Sequence, residues 1–269
     1  KYIESYMGNT IADIKNDLKN GRTVFFCGTP CQVAGVRNAV GENERLILCD
    51  FVCHGVPSAR IFKEYLKGKL HKNEKLSELD FRPKDNGWTD IYIRLKTSRT
   101  EYFIPHNLDL FYKGFITENA FLRRSCYECR YRQNHLSDIT IADFWGVGTM
   151  GKRFKKDVSA GVSMIIDNYS QIDRYLVSDG NVYVEERTLE EARQKNENLN
   201  HPVQRLEERN TAVLDLLAPE MLLREYAKKY GMLDAFPKHL VKMVFKNVIY
   251  GLGLYNMYKT ISYKLGRTS

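Results

Sequence analysis

The sequence of 269 residues predicts an α/β fold with a parallel core sheet and crossover helices, an appended antiparallel hairpin and a helical carboxy-terminal extension. Two consecutive strand–turn–helix units predict the parallel sheet, because parallel neighbours need crossover connections. An alternating apolar run at residues 91–96 predicts the hairpin. From Leu189 onward the pattern is helical and highly charged, which predicts the extension.

The first strand–turn–helix unit follows a short helix at residues 11–18, where apolar residues recur at helical spacing before an Asn-Gly pair. Residues 23–27 are β-branched and aromatic, which favours a strand. Glycine and proline break this strand at residues 28–30, and helical spacing resumes at residues 31–40.

The second unit repeats this order, with a strand at residues 46–52, a turn and helix cap at residues 53–58 and a helix at residues 59–70. In the hairpin, a polar turn leads from the alternating run to a second strand at residues 101–104. Further elements are predicted as two core strands at 139–145 and 161–167, a helix at 171–177 and a short strand at 181–185.

The composition indicates a globular protein, since 43% hydrophobic residues can build one large core, alone or with an appendage. No apolar run reaches the roughly 18 to 20 residues that a membrane-spanning helix needs. The amino end carries no secretory signal pattern, so we expect a cytoplasmic protein. Because the chain opens on Lys1 directly in a helical pattern, we also expect that an upstream segment precedes it.

The positive charge is concentrated in the tail. The formal net charge is +8, and no acidic residue follows Asp234. Apolar and basic residues partition loosely at helical spacing in residues 240–263, which is typical of a solvated helix that docks a partner or of an interfacial helix at the inner membrane face. No nucleic-acid recognition motif occurs, so nucleic acid is not an expected partner.

Six cysteines in a reducing compartment favour metal ligation, catalysis or burial over structural disulfides. Because parallel strands end at one edge of a sheet, Cys31 and Cys53 should face each other there, each near a helix amino terminus that favours a thiolate. Cys126 and Cys129 have the two-residue gap that lets both sulfurs reach one metal centre. Four thiolates fit one zinc ion or one 4Fe-4S cluster. Cys27 and Cys49 fall inside predicted strands and are expected to be ordinary buried residues.

Four motifs in order carry a family resemblance: GTPCQVAGVR at 28–37, DFVCHGVPS at 50–58, FRPKDNGW at 81–88, and SCYECRYR followed by SDITIADFWG within 125–146. They closely resemble the carboxy-terminal domain of the coenzyme F-420 hydrogenase/dehydrogenase beta-subunit family. The resemblance covers about residues 1–150, with weaker likeness to about residue 210. We therefore expect a redox domain over residues 1–210 and a basic helical extension over residues 211–269.

The resemblance implies an iron-sulfur flavoprotein oxidoreductase that uses FAD and is linked to coenzyme F-420 or ferredoxin. It implies that Cys31, Cys53, Cys126 and Cys129 ligate a 4Fe-4S cluster, with zinc as the second choice. The implied partners are a ferredoxin or another redox subunit and a small-molecule acceptor. Some bacterial relatives are associated with surface polysaccharide synthesis. Full-length members often carry a ferredoxin-like amino-terminal module, which this sequence does not contain.

A flavin at the same sheet edge would contact candidate residues near the cysteines, and these are Gly28, Thr29, Gln32, His54, Gly55 and Asp143. His54 could instead cap its helix or bond a cluster sulfur. Trp88 and Trp145 favour core packing over stacking on a flavin. The glycine turn at residues 146–151 matches a dinucleotide fingerprint, but no apolar helix follows it, so a flavin phosphate is expected there rather than nicotinamide.

Two alternatives remain open at this point. The same four thiolates would serve a zinc-stapled structural or binding protein without redox chemistry. They would also serve an electron relay that has a cluster and no flavin.

Overall fold

The computed structural model describes residues 3–71, 73–85, 88, 91–132, 136–151, 153–172, 182–217 and 223–230. The elements within these ranges are, in chain order, α1 (Thr10–Lys19), β1 (Val24–Gly28), α2 (Pro30–Val40), β2 (Leu46–Phe51), α3 (Ala59–Lys69), β3 (Leu76–Asp80), β4 (Tyr92–Thr97), β5 (Glu101–Pro105), α4 (Leu110–Tyr112), α5 (Arg124–Tyr127), β6 (Ile139–Asp143), β7 (Ser163–Asp167), α6 (Leu189–Arg193), α7 (Arg209–Leu217) and α8 (Leu223–Lys229). A π-helical turn, Lys113–Thr117, continues α4, and short 3-10 turns occur at His106–Leu108 and Glu197–Leu199.

The first sheet has the strand order β1-β2-β6-β7. The strands β1, β2 and β6 are parallel, and β7 is an antiparallel edge strand beside β6. The predicted parallel core is therefore confirmed. One face of this sheet packs on α1 and α2 through buried apolar side chains, which are Ile14, Val33, Val36, Leu46 and Leu48. Because Gly28 lies opposite Asp50, the loops that follow β1 and β2 leave the sheet at the same edge.

A second, antiparallel sheet has the order β3-β4-β5 and contains the predicted hairpin of β4 and β5. The strand β3 was missed, because its sequence LSELD is short, polar and half exposed. This sheet adjoins an aromatic core in which Tyr65, Phe81, Phe111 and Phe121 are fully buried. Tyr65 donates a 2.6 Å hydrogen bond to the buried Asp109 within it.

The helices α7 and α8 pack into the same aromatic core, where Ala212, Leu216 and Tyr226 are buried. The helix α6 packs instead in a separate apolar cluster through Ala192. The helical pattern predicted from Leu189 onward is confirmed as α6 to α8. The predicted boundary between residues 210 and 211 falls inside α7, and the two-domain division stays a prediction.

Two local predictions have different outcomes. The short strand predicted at 181–185 is wrong over residues 182–185, which are irregular, because Val182 and Val184 remain exposed and pair with no neighbouring strand there. Most of the helix predicted at 171–177 lies outside the described residues, as does the basic segment 240–263. Across the described ranges, no helix combines the length and the apolar character needed to cross a bilayer.

Candidate metal centre

The loop after β1 places Cys31 in the first turn of α2. Thr29 caps this helix: its Oγ1 accepts from the Gln32 N–H at 3.4 Å, and its own N–H donates to Gln32 Oε1 at 3.0 Å. Thr29 Oγ1 also lies 3.2 Å from the sulfur of Cys31. The capping residues therefore fix the position of an exposed thiol at the amino end of a helix, where the dipole favours a thiolate.

The loop after β2 docks directly onto α5, which carries Cys126. The Arg123 N–H donates to the Val56 carbonyl at 3.0 Å, and Pro57 bridges to Leu122. Gly55 makes this approach possible: a Cβ at its position would lie 3.0 Å from Leu122 Cδ2 and 3.2 Å from Cys126 Cβ. Its φ of 128° also favours glycine. The strand β2 and the short helix α5 thereby bring Cys53 beside Cys126.

The four cysteines predicted as ligands share one electrostatic environment. Burial raises the pKa of Cys53 to about 12, and the neighbouring sulfurs of Cys126 and Cys31 raise it too, while the Gly55 N–H lowers it. Burial likewise raises the pKa of Cys126, the Val56 N–H lowers it, and Cys129 and Cys31 raise it. Three segments far apart in sequence thus converge on one site.

The thiols do not form a closed ligand shell. Within the described ranges, no three His, Cys, Asp or Glu side chains stand together as a ready-made metal site. Ligation by all four cysteines would require their side chains to lose protons and turn toward a common centre. Their chemistry fits such a centre, because all four are free thiols and the backbone of Gly55 and Val56 lowers the pKa of Cys53 and Cys126. Ligation itself stays a prediction.

The ring of His54 is committed to structural hydrogen bonds. Its Nε2 donates to the Phe115 carbonyl at 3.0 Å, and its Nδ1 accepts from the Asn198 amide at 3.4 Å. The ring also packs edge-on against Phe115, with 5.4 Å between centroids. Burial lowers its pKa, which keeps the imidazole neutral. Both ring nitrogens are hydrogen-bonded, so His54 holds the loop after Cys53 in place.

These observations match a known family. The model of the carboxy-terminal part of the beta subunit in coenzyme F420 hydrogenase/dehydrogenase matches residues 21–189, more than half of the chain. The chain belongs to this family. The match includes all four candidate ligands and indicates an oxidoreductase subunit of a multi-subunit redox enzyme, in a family associated with iron-sulfur function. A comparison with curated proteins gives no match.

Two other predicted cofactor contacts of this F-420 beta-subunit family member, Gly28 and Asp143, lie in different surroundings. Gly28 ends β1, and a Cβ there would lie 3.1 Å from Gln32 Oε1, so glycine leaves room for the helix cap. Asp143 ends β6 and forms a 2.6 Å ion pair with Arg82. The Arg82 guanidinium lies 5.1 Å from the Trp145 ring, which stacks on Trp88 at 4.1 Å. Asp143 is therefore part of a separate polar and aromatic cluster.

In the glycine turn at residues 146–151, a carboxylate of the chain itself, that of Glu191, accepts a backbone N–H. The Gly148 N–H donates to Glu191 Oε1 at 2.6 Å, and a Cβ on Gly146 would lie 2.5 Å from Lys195 Cγ. A phosphate at this turn would face the Glu191 carboxylate. The expected flavin phosphate contact is therefore contradicted at Gly148.

Sequence reasoning missed two features near the four candidate cysteine ligands. Cys27 is exposed, contrary to expectation, and lies opposite the buried Cys49 in the register of β1 and β2. Arg132 is buried beside the site, where its Nη2 donates to the His54 carbonyl at 2.8 Å and its Nη1 to Asn198 Oδ1 at 2.9 Å. The only signal for Arg132 was its position three residues after Cys129.

Proposed function

We propose that this protein is an iron-sulfur flavoprotein oxidoreductase subunit that passes electrons between a ferredoxin-like carrier, a 4Fe-4S cluster and FAD to a small-molecule organic acceptor. The observation that carries the proposal is the docking of the loop after Cys53 onto α5, which carries Cys126, at the sheet edge where Cys31 begins α2. From the family resemblance we also propose a link to surface polysaccharide synthesis.

In this proposal the four cysteine thiolates hold the cluster, which supplies one-electron chemistry when bound. The backbone of Gly55 and Val56 lowers the pKa of the Cys53 and Cys126 thiols, which favours anionic sulfur. The Thr29 hydroxyl lies within hydrogen-bond distance of the Cys31 sulfur. The aromatic core packs against Cys126 and limits access of water to that side of the site.

For the flavin we favour the side of the sheet edge at Asp143. His54, Thr29 and Gln32 already use their polar atoms in local hydrogen bonds, as the capping and ring contacts show. Asp143 is 38% exposed, and Arg82 and Trp145 beside it offer a cation and an aromatic face. Gly28 and Gly55 remain candidates through their backbone. These groups suit an isoalloxazine ring and its polar edge.

Anaerobic purification of the full chain tests the proposal. We expect brown protein with iron and acid-labile sulfide, broad visible absorption that dithionite bleaches, and yellow flavin released on heat denaturation. A colourless protein that contains zinc would replace the proposal with the zinc-stapled alternative. A bleachable cluster without released flavin would leave an electron relay.

A further inference from the structure

Arg132 is a buried cation without an acidic partner in the described part of the chain. The residue is 2% exposed. Two of its nitrogens donate to neutral oxygens, on His54 and Asn198. Its Nε is buried and has no hydrogen-bond partner. No carboxylate among the described residues forms an ion pair with it.

Such an arrangement is unfavourable unless a negative charge completes it. An ion that leaves water loses its hydration, and a close opposite charge is what offsets this loss. Geometry places Arg132 between two segments that carry candidate ligands. Its Nη2 donates at 2.8 Å to the carbonyl of His54, the residue after Cys53, and Arg132 follows Cys129 by three residues.

We infer that Arg132 is the buried counter-charge of the four-cysteine centre, and that its unpartnered Nε–H is reserved for anionic sulfur there. This inference rests on the proposed function, since it needs a bound centre. Any centre held by four thiolates is net anionic, whether it is a 4Fe-4S cluster or zinc. Arg132 is a positioning residue: it holds the His54 carbonyl and supplies positive charge, and it is not itself a ligand.

The charge has a measurable consequence for a redox centre. Reduction adds an electron to an already anionic group, and a nearby buried cation stabilises the reduced state more than the oxidised state. Removing the charge should therefore shift the reduction equilibrium toward the oxidised form. We expect a shift of at least tenfold in Arg132→Gln, which for one electron is a midpoint potential lower by about 59 mV.

The chain offers a matched control. Arg130 lies two residues earlier in the same segment and is exposed. Arg130→Gln removes the same formal charge, but solvent and salt screen an exposed charge. Arg132→Lys keeps the charge and gives up the planar guanidinium fork. A purely structural role for Arg132 would change stability in the glutamine variant without moving the potential.

The experiment measures iron content and midpoint potential for the wild type and these three variants. We expect Arg130→Gln to match the wild type, Arg132→Lys to stay within threefold of it, and Arg132→Gln to shift by tenfold or more. An Arg132→Gln protein that holds the cluster at the Arg130→Gln potential would overturn the inference. Arg132→Gln could also be folded by circular dichroism and contain no iron. In that case, iron incorporation by Arg132→Lys supports the inference, and a folded Arg132→Lys without iron overturns it.

Failure of the proposed function gives a different pattern. If the wild type contains zinc instead, the redox proposal fails, and the inference is then tested by zinc release to a chelator. We expect release at least tenfold faster from Arg132→Gln than from Arg130→Gln, and equal rates would overturn it. A wild type that binds neither metal overturns both.

Discussion

A methyl group added at Gly55 should push the loop that follows Cys53 away from α5, which carries Cys126. The loop between Cys53 and Ser58 lies against α5 so closely that a Cβ on Gly55 would stand 3.2 Å from the Cβ of Cys126 and 3.0 Å from Leu122 Cδ2. Both contacts are tighter than ordinary van der Waals packing. Gly55→Ala therefore requires the loop or α5 to move.

The magnitude follows from two contributions. A non-glycine residue at a φ of 128° stores strain of about 1–3 kcal/mol. Overpacking against Leu122 and Cys126 adds about 1–3 kcal/mol. The sum, about 2–6 kcal/mol, is a large part of the roughly 5–15 kcal/mol that stabilises a typical domain. Relief of this strain by outward movement of the loop would carry Cys53 away from Cys126.

Gly21→Ala is the matched control. Gly21 also has a positive φ, 76°, but nothing lies within 4 Å of a Cβ at its position. Its replacement should cost only the conformational term of about 1–2 kcal/mol. Urea unfolding and the iron content per chain measure both variants. We expect loss of iron in Gly55→Ala and full iron in Gly21→Ala; equal iron and equal stability in the two would refute the steric argument.

Three further predictions concern other groups. Cys126→Ser should abolish cluster incorporation, whereas Cys27→Ser, at an exposed thiol outside the predicted ligand set, should leave iron content unchanged; an intact cluster in the first variant would remove α5 from the site. Burial raises the pKa of the Cys49 thiol from an ordinary value of 9.0 to about 12. Between these two pH values the unfolded chain has lost the thiol proton and the folded chain still holds it. The stability that the protonated Cys49 contributes is therefore present below pH 9 and is lost between pH 9 and 12. Urea unfolding across that range should show a shallower decline in Cys49→Ala, and an unchanged slope would contradict the assignment. Asp143→Asn should lower the flavin released on heating while iron stays constant; unchanged flavin would place its binding elsewhere.

The parallel core could be predicted because its signals are local. The strands β1 and β2 are short apolar runs, and each is followed by a helix with a side-chain cap, Thr29 before α2 and Ser58 before α3. The pairing of β2 with β6 has no such signal, because Cys49 and Ile139 meet across an insertion that holds the whole second sheet. Local spacing therefore predicted the strands and the hairpin of β4 and β5, but not the pairing of β2 with β6 across them.

The cysteine site could be predicted from strand order and cysteine spacing. Parallel strands place Cys31 and Cys53 at one edge, the two-residue gap marks Cys126 and Cys129 as a ligand pair, and the family resemblance implies that the two pairs share one cluster. The groups that support them were invisible, because their partners are remote in sequence. His54 bonds Phe115 and Asn198, and Arg132 bonds Asn198 as well. Sequence spacing cannot show that a histidine between candidate ligands uses both ring nitrogens for structure.

Asn198 shows that the site extends past the region that defines the family. The family match ends at residue 189, yet the Asn198 side chain accepts from Arg132 and donates to His54. Without Asn198, a buried guanidinium nitrogen and a buried imidazole nitrogen would each lose a partner, and each loss costs about 1–3 kcal/mol. Both groups adjoin Cys53. The turn after α6 thus completes the support of the cysteine site, and we expect a fragment that ends at residue 189 to lose it.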